Sequence, residues 1–368
     1  MFIMRKTGFI CDESFFWHDA GTGALFFPAG GYVQVEGSSE NPETKRRFKN
    51  LMERSGLYDQ LQLVKPRPAK EEQIGYFHTK EYIERVKKVS ASGGGEAGPH
   101  VNIGRDSFEI AQLAAGAAIV AVESVINGEL DNAYALTRPP GHHAEAHQAN
   151  GYCVFNNAVI AAHYARKELG LERVMILDWD VHHGNGIEDA FYDDPNVLFI
   201  SIHQEGYYPA GRGKVEEIGT GAGVGYTCNI PLLAGTGDAG YIYAFEQIIK
   251  PVTDKFKPQL IIVSAGQDAN IFDPLARMMV SSHGFKQMTK IVRELAETYC
   301  NGKMIAVHEG GYSAAYVPFC SHAIVEELSG IQTDVGDPFI GALHDSRYDV
   351  LLPHQKERVD EISATLVK

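Results

Sequence analysis

The chain has 368 residues, 44% hydrophobic and 22% charged, which excludes a disordered, collagenous or fibrous protein and is long enough to bury a substantial core. Lys and Arg number 33 against 47 Asp and Glu, a formal net charge of -14 that disfavours nucleic acid and anionic membrane as direct ligands. Such a surface would steer in a basic polypeptide or a cationic small molecule, although acidic balance is also common in ordinary enzymes.

In chain order, an apolar helix is predicted over 106–127, then a strand over 133–137 that runs into RPPGHH. A helix over 155–169 leads to a strand over 174–178 ending in DWDVHHGNG, and a strand over 197–203 ends in HQEGYYP. A strand over 226–230 and a helix over 239–256 precede the strand over 260–265, which closes on SAGQDAN; a helix over 284–298 precedes the strand over 304–308, which closes on HEGGY. Short apolar strands alternating with helices long enough to cross over predict one α/β domain, residues 1–368, around a parallel sheet. The tail over 336–368 is expected to pack on the domain or on another subunit. Ligands of such sheets bind outside the carboxyl ends of the strands, so these five loops are expected to share one site.

The five cysteines, Cys11, Cys153, Cys228, Cys300 and Cys320, are scattered and form no CxxC pair, against a disulfide scaffold or thiolate metal site. The N-terminal MFIMRKTG is too short for a signal peptide, and the apolar stretch over 110–122 falls short of the roughly 20 residues that cross a bilayer. A cytoplasmic location is expected.

Asp178, Asp180 and His182 alternate in DWDVH, so a strand continuing through them would put all three on one face. Asp268, at the end of another strand, is the natural further ligand. Two carboxylates and one imidazole suit zinc or ferrous iron and leave a position open for water. The plainer alternative, a salt-bridged strand end, leaves the equivalent placement of Asp268 unexplained. His142 and His143 follow a Pro-Pro-Gly turn and supply acid–base chemistry near neutral pH, unless they are only capping or surface imidazoles. Gly141, Gly151, Gly184, Gly186, Gly310 and Gly311 flank this chemistry, as turn residues or to permit close approach of backbone.

Taken in order, RPPGHHAE, GYCVFNN, DWDVHHGNG, SAGQDA and HEGGY resemble the zinc-dependent histone deacetylase superfamily, and most the bacterial class II histone deacetylase-like amidohydrolases. The likeness runs over about 7–325 and includes NPE at 41–43 and FHTKEYI from Phe77. It implies an arginase-like α/β fold and hydrolysis of an acyl amide on lysine or a related amine, with possible homo-oligomers. By this resemblance Asp180, His182 and Asp268 hold zinc, with ferrous iron as a substitute. His142 and His143 are the tandem histidines, backed by Asp178 and Asn185, and Tyr312 polarises the amide carbonyl. A carboxylate partner favours imidazolium and an amide does not, so His142 is expected to be charged and His143 to be the base. Oxygens of Asp178, Asp180, His182, Ser201 and Ile202 match one family potassium site, and Phe191, Asp194, Val197 and Tyr226 a second. Tyr152 and Tyr208 match the aromatic tunnel walls, where Phe is usual, and Gly151 and Gly310 would let backbone approach the alkyl chain. Tyr207 is a rim or turn residue.

The sequence departs from the family pattern at Gln267, in place of phenylalanine, at Asn41, in place of the histidine of HPE, and in the rim loop GGGEAGPHVN, which offers Glu96 and no aspartate. An acetylpolyamine amidohydrolase is the close rival, weakened by Leu275 where a specialised polyamine deacetylase carries a gatekeeper glutamate and kept open by Glu96. A binuclear manganese ureohydrolase would need carboxylates in place of the tandem histidines. A catalytically silent acyl-lysine binder would be expected to lack Tyr312.

Overall fold

Eight short apolar runs pair side by side, all parallel: β1 (Thr7–Ile10), β2 (Gln62–Val64), β3 (Asn132–Ala135), β4 (Val174–Asp178), β5 (Val197–Gln204), β6 (Thr227–Leu232), β7 (Leu260–Ala265) and β8 (Met304–His308). Their order across the sheet is β6-β5-β4-β7-β8-β3-β1-β2. The computed structural model describes residues 5–24, 27–343 and 346–367. The N-terminal MFIM patch and, within the tail, His344, Asp345 and Lys368 lie outside them.

Successive strand residues alternate between two buried faces. Met175 and Leu177 of β4 join one core with Ile261 and Val263, whereas Val174 and Ile176 join the other with Leu260 and Ile262. Burial on both faces explains why these strands read as continuous apolar runs.

The helix Ser107–Ile126 is long and apolar enough to cross a membrane by length and composition, so the 110–122 stretch understated it; 72% of its apolar window is buried inside the protein. It packs against the helix Asn157–Lys167 and the β3 side of the sheet. The helix expected over 239–256 is present but widens, as Asp238–Ala244, a π turn Phe245–Ile249, and Lys250–Phe256. Pro251 has no N–H to offer the carbonyl of Gln247, and Ser363 Oγ donates to that carbonyl instead, at 3.1 Å. Ser363 belongs to the helix Pro353–Leu366, whose Val359 and Ile362 are buried against this segment and β6, so the described tail packs on the domain.

The sequence pattern missed β1 and β2, too short to show a period, and the helices Glu43–Ser55, Lys80–Ala91 and Val317–Ser329. The five motif-bearing strands, β5, β4, β7, β8 and β3, are consecutive in the sheet, so their carboxyl ends form one continuous edge.

Candidate active site

β4 ends at Asp178, so the expected strand through DWDVH is not there; residues 179–183 form bends and turns. The same side chains converge by another route. Asp178 Oδ1 accepts the N–H of Asp180 at 3.0 Å, and Asp180 Oδ1 accepts the N–H of His182 at 2.9 Å, giving two successive aspartate-capped turns. Asp268 comes from neighbouring β7 and fixes the turn across the sheet, its Oδ1 accepting the N–H of Val181 at 2.8 Å.

Asp180, His182 and Asp268 are all buried, and one ligand atom from each lies within 4.8 Å of the others. His182 Nδ1 is 3.1 Å from Asp180 Oδ1 and 3.0 Å from Asp268 Oδ2. The second approach is badly aligned, and Asp268 Oδ2 is left buried without a hydrogen bond among the described residues. Two buried carboxylates with an orphaned oxygen are costly unless a cation completes them, so this group fits a divalent metal. Gly310 closes the far side, its N–H donating to Asp180 Oδ2 at 2.9 Å. A Cβ at Gly310 would stand 2.4 Å from Asp268 Oδ2 and 2.6 Å from Asp180 Oδ2. Glycine at 310 is thus required by the close approach of these carboxylates.

The rings of His142 and His143 lie 3.9 Å apart. His142 Nδ1 is 2.9 Å from Asp178 Oδ2, and its Nε2 is 3.8 Å from Asp180 Oδ1. Burial alone would lower its pKa, but Asp180 and Asp178 carry it up to about 10. His143 Nδ1 lies 2.8 Å from Asn185 Oδ1, while Asn185 Nδ2 donates to Glu145 Oε1, which orients the amide. Its oxygen can only accept, so Nδ1 carries the proton and Nε2 the lone pair. Burial, then the positive neighbours His142 and His182, hold His143 well below the ordinary imidazole value. The adjacent rings are thus poised as an acid and a base.

Tyr312 enters from the β8 loop, its ring 5.9 Å from Tyr152 and 6.0 Å from Lys45 Nζ. Burial, then Asp268 and Asp180, raise its phenol well above the usual value, so it remains a neutral donor. Tyr208 stands edge-on to His143 at 4.9 Å and donates from its hydroxyl to Asn150 Oδ1 at 2.7 Å. Tyr207 stacks on His182 at 5.8 Å and is 40% exposed, at the rim. Gly151 has φ +50°, and a Cβ there would lie 2.5 Å from His143 Cδ2 and 3.0 Å from Tyr208, so this wall admits only glycine. Leu275 is buried, its N–H held by Asp273 Oδ1 at 2.9 Å.

The stretches matched to potassium are also adjacent. Ser201 pairs with Asp178 across β5 and β4, beside buried Ile202. Phe191, Asp194 and Val197 are linked by main-chain bonds, and the carbonyl of Tyr226 accepts the N–H of Phe199. The Asp194 carboxylate pairs with Arg166.

Gln267 turns away from the metal group: its Nε2 donates to the carbonyl of Ala265 and lies 3.5 Å from Tyr134 Oη, while its Oε1 has no partner among the described residues. Asn41 serves a turn, accepting the N–H of Glu43 at 3.0 Å. Glu96, on the hairpin of Gly94–Gly98 and Val101–Gly104, lines a cavity of about 360 Å³ beside Tyr152 and His100.

Several supporting residues escaped the sequence reading. Glu309 Oε2 accepts the N–H groups of Gly141 and His142 at 2.6 and 3.2 Å, and burial raises its pKa to about 7. Arg138 and Lys45 both bond Glu40, all three fully buried, with Arg138 also donating to the carbonyls of Phe15 and His18. Glu309 and Arg138 lie inside quoted motifs, but nothing in HEGGY or RPPGHH tells a charge that faces backbone from one that faces substrate.

Fold and site together define a hydrolase-like α/β protein with a buried carboxylate–imidazole metal group at the sheet edge. The chain belongs to the histone deacetylase domain family, whose model matches residues 38–328. It is 46% identical over 364 residues to the "Histone deacetylase-like amidohydrolase" of Pseudomonas aeruginosa, covering 98% of this chain and 96% of that one. It is 41% identical to a "Probable deacetylase" of Archaeoglobus fulgidus, covering 84% of this chain and 86% of that one. Human "Polyamine deacetylase HDAC10" is 36% identical over 81% of this chain and 45% of its own length. The crystal structure of the HDA15 HD domain superposes with a TM-score of 0.82 at 30% identity, covering 98% of this chain and 97% of that one.

Proposed function

We propose that this chain hydrolyses the amide of an acylated amine, foremost acyl-lysine in a protein, peptide or small molecule. The observation that carries the reading is the convergence of three elements within one buried site: the Asp180, His182 and Asp268 group, two adjacent imidazoles of which His142 is charged and His143 neutral, and a neutral Tyr312.

A divalent ion held by Asp180, His182 and Asp268, zinc or ferrous iron in its place, would polarise the acyl carbonyl and acidify a water. His143 Nε2 takes a proton from the attacking water as its oxygen bonds to the carbonyl carbon. Tyr312 donates its O–H to the carbonyl oxygen as negative charge gathers there. Protonated His142 keeps its proton on the Asp178 side and stabilises the centre, and the proton held by His143 passes to the amine nitrogen as the C–N bond breaks. Tyr152, Tyr208 and Gly151 wall off water from the stem of the substrate. Potassium at the two matched stretches and a cytoplasmic location, suggested by five unpaired cysteines, complete the proposal.

A polyamine substrate is the second reading, favoured by Glu96 in the cavity beside Tyr152. Both are tested by assaying zinc-loaded protein against acyl-lysines of several chain lengths and against acetylated putrescine and spermidine, with Tyr312→Phe and His143→Ala beside it. Lysine deacylation lost in both variants supports the first reading, and preference for the acetylated polyamines moves the assignment to the second. No turnover of either class despite bound zinc overturns the hydrolase and leaves an acyl-lysine binder.

A further inference from the structure

The turn that presents Tyr312 is the least constrained piece of the site by its own sequence, since Gly310 and Gly311 precede the tyrosine and Gly311 sits at φ +127°. Among the described residues, the ring contacts of the tyrosine side chain are with Tyr152 and the Lys45 ammonium, and both are long. Its backbone is pinned instead. The N–H of Tyr312 donates to Asp273 Oδ2 at 2.8 Å. The other oxygen of the same carboxylate, Oδ1, accepts the N–H of Leu275 at 2.9 Å, and Asn270 Nδ2 reaches Oδ2 at 3.3 Å. Asp273 is only 8% exposed, and its own N–H donates to the carbonyl of Asn270. The segment from Gln267 to Leu275 therefore carries a candidate metal ligand, Asp268, and five residues later the carboxylate that holds the tyrosine. Gln267 N–H also donates to the carbonyl of Gly310 at 2.9 Å, a second tie between the same two loops.

We propose that Asp273 is a positioning residue for the reaction: it sets the height of the Tyr312 hydroxyl above the metal group and, through its second oxygen, the distance from Tyr312 to the tunnel residue Leu275. The inference rests on the hydrolase reading for its kinetic consequence, but not for its geometry. Oriented donors lose most of their effect when displaced by about 1 Å, which is what a released Tyr312 backbone can reach by rotation at Gly311, while Gly310 stays tied to Asp180 and Gln267. Two backbone N–H groups need two acceptor oxygens. An amide of the same shape offers one oxygen and turns a donor toward the other N–H, so Asp273→Asn cannot satisfy both.

The test is a double-mutant cycle of Asp273→Asn with Tyr312→Phe, read as kcat and KM on the best acylated substrate, with metal content measured for each protein. Asp273→Asn alone is expected to lower kcat about tenfold to thirtyfold with KM changed less than threefold and metal content unchanged; in the Tyr312→Phe background it should cost less than threefold. Losses that multiply in the double variant, or a wild-type kcat in Asp273→Asn, would overturn the proposal. Amide hydrogen exchange of the unmutated protein gives an arm that needs no variant to fold: the Tyr312 N–H should exchange as slowly as the sheet core, and fast exchange there also overturns it. Should the unmutated protein turn over no acylated amine, the hydrolase reading fails by itself, while slow exchange at Tyr312 that is lost in Asp273→Asn would still uphold the positioning role.

Discussion

At the floor of the site His142, His143, Asp180, His182 and Asp268 are buried, each held by a strand end, a capped turn, or a carboxylate or amide behind it. At the rim Tyr207, Glu96 and His100 stand on loops or a hairpin open to solvent. The floor concentrates charge where water cannot screen it, so small displacements there have large energies. The rim meets solvent, where a charge is worth a fraction of a kcal/mol and a side chain is free to adjust. Chemistry is thus fixed by the sheet edge, and discrimination among acylated amines falls to loops that can vary around it.

This contrast makes graded demands. The largest effect belongs to the metal group: chelation should bring hydrolysis to background and lower the thermal midpoint, and zinc should restore both, as followed by turnover and thermal unfolding. Next, Tyr312→Phe should reduce kcat about 100- to 1,000-fold with little change in KM, by loss of one preorganised donor. Gly151→Ala, whose Cβ would meet His143 at 2.5 Å, should lower kcat/KM about tenfold and destabilise by about 1 kcal/mol or more in chemical denaturation.

A smaller effect lies one layer below the floor. His78 bridges buried backbone, its Nδ1 2.9 Å from the carbonyl of Glu145 and its Nε2 accepting the N–H of Asn156 at 2.9 Å. Burial lowers its pKa from 6.5 to about 3. Below pH 6.5 the unfolded chain binds a proton that the folded one refuses, so the His78 contribution is whole above 6.5 and is lost as pH falls, by at most about 1.4 kcal/mol per pH unit. Denaturation at pH 7, 6 and 5 should show a slope shallower by one proton in His78→Gln. The smallest effect is at the rim: Glu96→Gln should raise KM for acetylated spermidine by about threefold or less, and less again at high salt, with acyl-lysine kcat unchanged.

The same division decides what could be read without coordinates. β4, β7 and β8 begin and end where their apolar runs do, because burial on both faces keeps them apolar almost throughout, polar residues entering only at or next to their carboxyl ends. Asp180, His182 and Asp268 were legible because chemically loaded residues followed strands whose carboxyl ends had to converge. Their exact path was not: the turns after Asp178 mimic the side-chain placement of a strand, and sequence spacing does not separate the two. Asp273 and Glu309 were invisible for a different reason. Their partners are backbone N–H groups, which every residue except proline possesses, so no pattern of side chains marks them. β1 and β2 are four and three residues long, below the length at which a period can be counted.

Asp180 and Asp268 lie about ninety residues apart along the chain yet just beyond the ends of neighbouring strands, with all of β5 and β6 and their connections looped out between them. An ion shared by these two carboxylates is a reversible cross-link. Like a disulfide closing a loop of that length, which removes roughly 4–5 kcal/mol of chain entropy from the unfolded state, it would act on the unfolded ensemble as much as on the folded one. The ligands come together where β4 and β7 pair, so a chain in which these two strands have parted would give up a bound ion before it could offer a half-built site to a substrate.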